Sequence, residues 1–163
     1  MKTDDNLQHV IKSAGASAMK YSAYAVIADD NGYRQVAKLF RALAETQKVH
    51  AINMLRALGE LGNTQENLSA AIDGKTYEFT QLLPTFIEQA DKDGNPMAST
   101  TFQAAINSTR VHVKILNTAM ENLGRNKDAE YWVCGICGNL EYGDEPVACK
   151  NCGGAREKFM KVG

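Results

Sequence analysis

The residues of this chain best suited to chemistry are its four cysteines, all within Tyr131 to Phe159. They form Cys134-x2-Cys137 and Cys149-x2-Cys152, with eleven residues between the pairs. A Cys-x2-Cys bends into a tight knuckle, and two facing knuckles set four thiolates at the corners of a tetrahedron around one iron or zinc ion. Gly138 and Gly153 directly follow the second cysteine of each pair. A residue without a side chain there lets backbone N–H groups approach the sulfurs and offset their negative charge. Two disulfides would be the alternative, but they need an oxidising compartment, and the polar start MKTDDNLQHVIK is no secretory leader. The spacing predicts a metal site and leaves iron and zinc both open.

A second set of candidates lies upstream: Gln47 and His50, Lys75 and Glu78, Thr109 and His112. Each pair interrupts an apolar stripe at comparable depth on a predicted helix, and a step of three puts both members on one helix face. A buried polar layer of this kind must be satisfied internally, by a metal or by mutual hydrogen bonds, because an unpaired buried group costs several kcal/mol. His50, Glu78 and His112 are a two-histidine, one-carboxylate set of the type that suits Fe(II) or Zn(II).

Four helices position these groups. Leu7, Val10, Ala14, Ser17, Tyr21, Ala25 and Ala28 alternate steps of three and four, which predicts a first helix ending at Asp30-Asn31-Gly32. A second is expected from Tyr33 to about Leu61, closing at Gly62-Asn63, and a third from Thr64 to about Ala90, bent or distorted by Gly74 and Pro84. Asn95 caps a fourth, with Pro96 at its first position, reaching about Leu123. Gly124 to Glu130 reads as a linker. Helices of similar length joined by short turns predict a mainly α four-helix bundle, residues 1–126, followed by a small metal-binding domain, residues 127–163. Tyr21, Tyr24 and Tyr77 flank the polar layer and read as core aromatics. His9 reads as solvated, and Met19, Met54, Met97 and Met120 as packing or surface residues rather than ligands.

Composition sets the partners and the compartment. With 18 basic and 19 acidic residues among 163, the chain has no electrostatic footprint for nucleic acid or an anionic membrane surface. It has no apolar run near the ~20 residues that span a bilayer. A reducing, cytoplasmic setting that keeps the thiols free for metal is expected.

The segment YWVCGICGNLEYGDEPVACKNCGGAREKFMKV resembles the rubredoxin domain that closes rubrerythrins: an aromatic entry, Cys-x2-Cys-Gly, an acidic turn with Pro146, Cys-x2-Cys-Gly and a closing Phe159. It departs at Gly135 and Lys150, where that family usually has proline, which implies looser knuckles and a positive charge near the metal. VAKLFRALAETQKVHA, LGNTQENLSAAIDGKTYEFTQLLP and FQAAINSTRVHVKIL look like rubrerythrin helices, in the family order.

The resemblance implies a ferritin-like bundle, with a di-iron site that reduces peroxide and is fed by one iron held by the cysteines. Carried onto this chain, the di-iron ligand positions fall on Ala14 (or Ala16), Gln47, His50, Lys75, Glu78, Thr109 and His112, of which only His50, Glu78 and His112 keep ligand chemistry. A di-iron centre needs several carboxylates to offset two cations, and Lys75 would repel them. The expectation is that Lys75 substitutes for the lost metal by pairing with Glu78, while Gln47, Thr109, His50 and His112 complete a hydrogen-bond network.

Three functions follow. The first is one-electron transfer through Fe(Cys)4, with a redox partner protein. The second is a peroxidase-type oxidoreductase remodelled around His50, Glu78 and His112, and the third a zinc-bound structural or partner subunit. The resemblance also implies a homodimer, because rubrerythrins run their second and third helices parallel and the roughly six residues Gly62 to Asn67 reach only ~20 Å. Helices one and two of one subunit would then complete the bundle with helices three and four of another.

Overall fold

The computed structural model describes residues 2–163. They form two compact units, one ending at Gly62 and the other running Asn63–Gly163.

The first unit is a helical hairpin of α1 (Thr3–Asp30) and α2 (Arg34–Leu58). Every residue it buries fully is alanine: Ala14, Ala18, Ala25 and Ala28 on α1, Ala37 and Ala44 on α2. Steps of three, four and seven keep the α1 alanines on one stripe, and side chains that end at Cβ let the two backbones approach closely. Ala14 is a packing residue of that seam. Beside it Tyr21, Tyr24 and Phe40 form a ring cluster with centroids 5.5 to 6.3 Å apart; Tyr21 is half-buried there, whereas Tyr24, expected in the core, is 43% exposed. An Arg41–Asp29 ion pair of 2.8 Å links the two helices near the turn.

Helix α2 stops at Leu58, short of the expected Leu61. Gly59 takes the left-handed conformation (φ 70°), donating to Arg56 O at 3.1 Å while Glu60 N–H donates to Leu55 O at 3.1 Å. This paired closure satisfies two terminal carbonyls. The apolar Leu61 extends the sequence pattern past a point where glycine had already ended the helix.

The second unit contains α3 (Thr64–Tyr77), a wide π turn (Glu78–Leu82), α4 (Leu83–Lys92) and α5 (Pro96–Glu121). Asn63 and Glu66 start α3 reciprocally: Glu66 N–H donates to Asn63 Oδ1 at 3.0 Å and Asn63 N–H to Glu66 Oε2 at 2.7 Å. The third helix predicted from Thr64 to about Ala90 is interrupted. Leu83 N–H reaches back five residues to Glu78 O, so an extra residue enters the turn just before Pro84. A proline ring collides with the carbonyl four residues earlier and offers it no N–H, and the widened turn relieves both problems. Asn95 caps α5 as expected, its Oδ1 accepting from Ala98 N–H at 3.1 Å. Phe86 of α4 meets Phe102 of α5 with centroids 5.7 Å apart.

After α5 the chain forms an antiparallel sheet in the order β2 (Leu140–Tyr142), β1 (Tyr131–Cys134), β3 (Phe159–Val162). Trp132 lies opposite Glu141 and Lys161, and its indole N–H donates to Gly143 O at 3.0 Å. The expected division at 126/127 falls in the connection between α5, which ends at Glu121, and β1, which starts at Tyr131, inside the unit Asn63–Gly163.

Candidate metal centre

Both cysteine pairs sit on knuckles, the first leaving β1 and the second leading toward β3. Gly138 and Gly153 have φ of 71° and 72°, the left-handed turn that lets each knuckle fold back. Gly138 N–H donates to Cys134 O at 2.9 Å and Gly153 N–H to Cys149 O at 2.8 Å. The fold brings all four Sγ atoms within 4.8 Å of one another, with Cys134–Cys152 at 3.7 Å and Cys137–Cys149 at 3.6 Å. A disulfide needs ~2.05 Å, whereas a tetrahedron with metal–sulfur bonds of about 2.3 Å has edges of roughly 3.8 Å. The observed spacing is that of a cage around one metal ion.

The donors around the sulfurs fit a cation too. Ile136 and Cys137 N–H groups point at Cys134, Asn139 N–H at Cys137, Asn151 and Cys152 N–H at Cys149, and Gly154 N–H at Cys152. Burial pushes the Cys134 thiol up, but the N–H groups of Cys137 and Ile136 and the neighbouring thiols outweigh it and bring it down to about 7. Burial pushes Cys137 and Cys149 up, and Cys152 is also raised although the Gly154 N–H opposes the rise. Four thiolates this close repel one another, and a bound cation is what stabilises them together. A Cβ at Gly154 would lie 2.8 Å from Ile136 Cδ1 and 3.3 Å from Cys152 Sγ, so a side chain there would displace the exposed end of Ile136 and crowd the sulfur.

The two departures from the rubredoxin pattern have local explanations. Gly135 N–H donates to Lys158 O at 2.8 Å, a bond proline cannot make, so the first knuckle is tied to the chain entering β3 rather than loosened. Lys150 Nζ pairs with Glu141 Oε2 at 3.0 Å, so its charge has a partner beside the cage.

The metal segment is docked on α5. Ser108 Oγ lies 3.0 Å from Cys137 O, His112 Nε2 lies 3.2 Å from Gly138 O, and the Asn151 side-chain amide lies 3.1 Å from Ala104 O. Residues 104, 108 and 112 are successive steps of four on one stripe. His112, expected among the bundle's inner polar groups, thus bonds to the first cysteine knuckle. Because a carbonyl only accepts, the His112 Nε2–H is the donor in this contact.

The other sequence candidates are distributed as follows. Lys75 Nζ pairs with Glu78 Oε2 at 2.5 Å, as anticipated, but His112, expected in a hydrogen-bond network around that pair, bonds to Gly138 O instead. Both line an open cavity of about 460 Å³ with His112 and Leu140. Thr109 is buried at 3% exposure, Gln47 is half-buried, and His50 and His9 are exposed. Tyr77, expected in the core, is 58% exposed. Among the described residues, the group of three or more side chains placed to hold a metal is the four cysteines; of the candidate set His50, Glu78 and His112, the first belongs to the unit that ends at Gly62 and the other two to the unit Asn63–Gly163. Ser108 and Asn151 escaped the sequence reading, because nothing local to a serine in a helix or an asparagine in a knuckle says that they meet.

Comparison with known proteins agrees with this geometry. The family model for rubrerythrin matches residues 5–120. Rubrerythrin-2 of Clostridium acetobutylicum is 26% identical over 175 residues, covering 97% of this chain and 95% of that protein. A putative rubrerythrin of Methanocaldococcus jannaschii is 29% identical, covering 97% and 91%. Nigerythrin of Nitratidesulfovibrio vulgaris is 27% identical, covering 96% and 85%. A solved structure of nigerythrin in a partially reduced state superposes with a TM-score of 0.61 at 26% identity, covering 99% of this chain and 87% of that one. Mainly helical, with a small C-terminal sheet around a tetrahedral sulfur cage, the chain belongs to the rubrerythrin family.

Proposed function

We propose that this chain is a one-electron carrier in which Cys134, Cys137, Cys149 and Cys152 hold a single iron. The observation that carries the reading is the cage: four sulfurs at tetrahedral spacing with six backbone N–H groups aimed at them. Bound there, iron would supply a reversible Fe(III)/Fe(II) couple. Solved nigerythrin structures in partially reduced and all-ferrous states support iron over zinc in a related chain. Cys152 is exposed while Cys134 and Cys149 are buried, so a redox partner protein would reach the cage at the Cys152 edge. The Lys75–Glu78 pair supports a helical layer held by an ammonium in place of cations.

Metal analysis beside a visible spectrum is the test. One iron per chain, red when oxidised and bleached by a reductant, is expected, with no peroxide turnover above that of free iron. Colourless protein with one zinc would instead favour a structural or partner subunit. Two metals per chain with peroxide reduction would favour a peroxidase-type site at His50, Glu78 and His112, and three would overturn both readings.

The assembly we propose is a homodimer. The α1–α2 hairpin leaves Val36 and Leu39 at 43% and 56% exposure, on the same stripe of α2 as half-buried Gln47 and exposed His50. A helix is stabilised mainly by burying its apolar stripe, so a second chain covering that stripe, as in a domain-swapped bundle, would complete the packing. Leu39→Asp places a charge in that interface and is expected to shift the species seen by sedimentation from dimer to monomer. A wild-type chain that sediments as a monomer at all concentrations would end this reading.

A further inference from the structure

Asn151 lies between the cysteines of the second knuckle and reaches out of it in two directions. Its backbone N–H points at Cys149 Sγ. Its side-chain nitrogen crosses to the other knuckle, 3.5 Å from Cys137 Sγ, and lies 3.0 Å from Ser108 Oγ and 3.1 Å from Ala104 O. One amide thus touches a metal-binding sulfur and the stripe of α5 on which the cage is docked. Asn139 N–H is the backbone donor to Cys137, so the Asn151 side chain adds a second.

A hydrogen bond to a thiolate strengthens as the sulfur becomes more negative. One-electron reduction of a bound metal puts further negative charge on the four sulfurs, so a fixed N–H stabilises the reduced cage more than the oxidised one. The amide nitrogen has two N–H groups: Ser108 Oγ and Ala104 O share one, which leaves the other directed at Cys137 Sγ, and a donor oriented in this way needs no rearrangement when the electron arrives.

We propose that Asn151 is a positioning residue that couples the redox state of the cage to its docking on α5: its anchored amide favours the reduced form, and reduction in turn tightens the contact with Ser108 and Ala104. The two effects are one coupling free energy seen from its two ends. The proposal rests on the electron-carrier reading above, and the experiment separates the two.

The full-length chain is loaded with iron, whatever metal it carries when purified, and its midpoint potential is measured for the wild type, Asn151→Ala and Ser108→Ala. A parallel set loaded with Co(II) gives the thiolate-to-metal charge-transfer bands. Asn151→Ala is expected to lower the ratio of reduced to oxidised protein about tenfold at the wild-type midpoint, which is about 59 mV for a one-electron couple. It should also move the Co(II) bands to lower energy. Ser108→Ala keeps the amide but frees it, and is expected to shift both readouts the same way by less. Amide exchange along 104–112 should be slower in reduced than in oxidised wild type, and this difference should vanish in Asn151→Ala.

A metal-loaded, folded Asn151→Ala with unchanged potential and bands would reduce the amide to a mechanical latch and overturn the proposal. If Asn151→Ala does not hold metal, an unshifted Ser108→Ala overturns it equally. Zinc in the purified protein would refute the electron-carrier reading, while the iron and Co(II) shifts would still decide what Asn151 does to the sulfurs.

Discussion

Cys149→Ser is expected to strip the chain of its metal and to unfold the segment from Tyr131 onward. The segment has little else to hold it. Its three strands are four, three and four residues long, and the apolar residues it buries are Pro146 and two metal ligands, Cys134 and Cys149. Tyr131, Ile136, Tyr142, Val147, Met160 and Val162 are between 40% and 85% exposed. So small a sheet does not hold itself together without a staple, and a structural tetrahedral metal contributes on the order of 10 kcal/mol.

Serine differs from cysteine by one atom, but its hydroxyl does not ionise near neutral pH and binds soft metals poorly. With Cys149 replaced, the remaining thiols lose one corner of the cage, including the Cys137 contact at 3.6 Å. Metal content should fall from one per chain to near zero. Amide protection should disappear from β1 to β3, and with it the contacts of Ser108 and His112 to the first knuckle. Far-ultraviolet circular dichroism should keep most of its helical signal, since the hairpin of α1 and α2 has its own alanine seam. Retention of one metal in a fully protected sheet would show that three cysteines suffice and that the cage is not what holds this segment.

Lys75→Glu carries the second large expectation, a second divalent cation per chain. In the wild type the ammonium sits 2.5 Å from Glu78 Oε2 and occupies the position where a cation would meet that carboxylate. The pair is partly exposed, so its direct worth to stability is small, within about 1 kcal/mol after screening by solvent. Its effect on cation binding is larger. The substitution replaces a positive charge with a negative one, placing two carboxylates three residues apart on α3 and the start of the π turn. His112 lines the same cavity, with its Nε2 3.2 Å from Gly138 O. Two carboxylates and an imidazole are hard and borderline donors suited to Fe(II), Mn(II) or Zn(II). Titration of the protein with Zn(II), read by calorimetry after the cysteine cage is filled, is expected to show one additional site in Lys75→Glu and none in the wild type. A folded variant that stays at one metal would mean that the lysine charge is not what keeps the helical layer free of metal.

Much of the fold follows from local rules that a sequence displays openly. Knuckle spacing with glycine after each second cysteine announced the cage, because two short turns leave the four sulfurs no other common geometry. Asn95-Pro96 and Asp30-Asn31-Gly32 marked helix ends, since caps and left-handed turns are properties of a few adjacent residues. Lys75 and Glu78 were legible as a pair for the same reason: three residues on a helix fix their proximity. The end of α2 was misplaced because an apolar Leu61 outweighed the nearer Gly59 in the pattern. The π turn could be anticipated only as a distortion near Pro84, since its form depends on which carbonyl moves.

What the linear order could not contain is which surfaces meet. His112 reads as an inner polar group of a bundle, yet it contacts Gly138, twenty-six residues further on, because the metal segment folds back against one stripe of α5. Asn151 and Ser108, forty-three residues apart, share a hydrogen bond for the same reason. Local propensity and spacing determined the helices and the ligands of the cage. Only docking of one element on another decided which side chains stand beside the sulfurs, because those contacts join positions whose separation in sequence carries no geometric information.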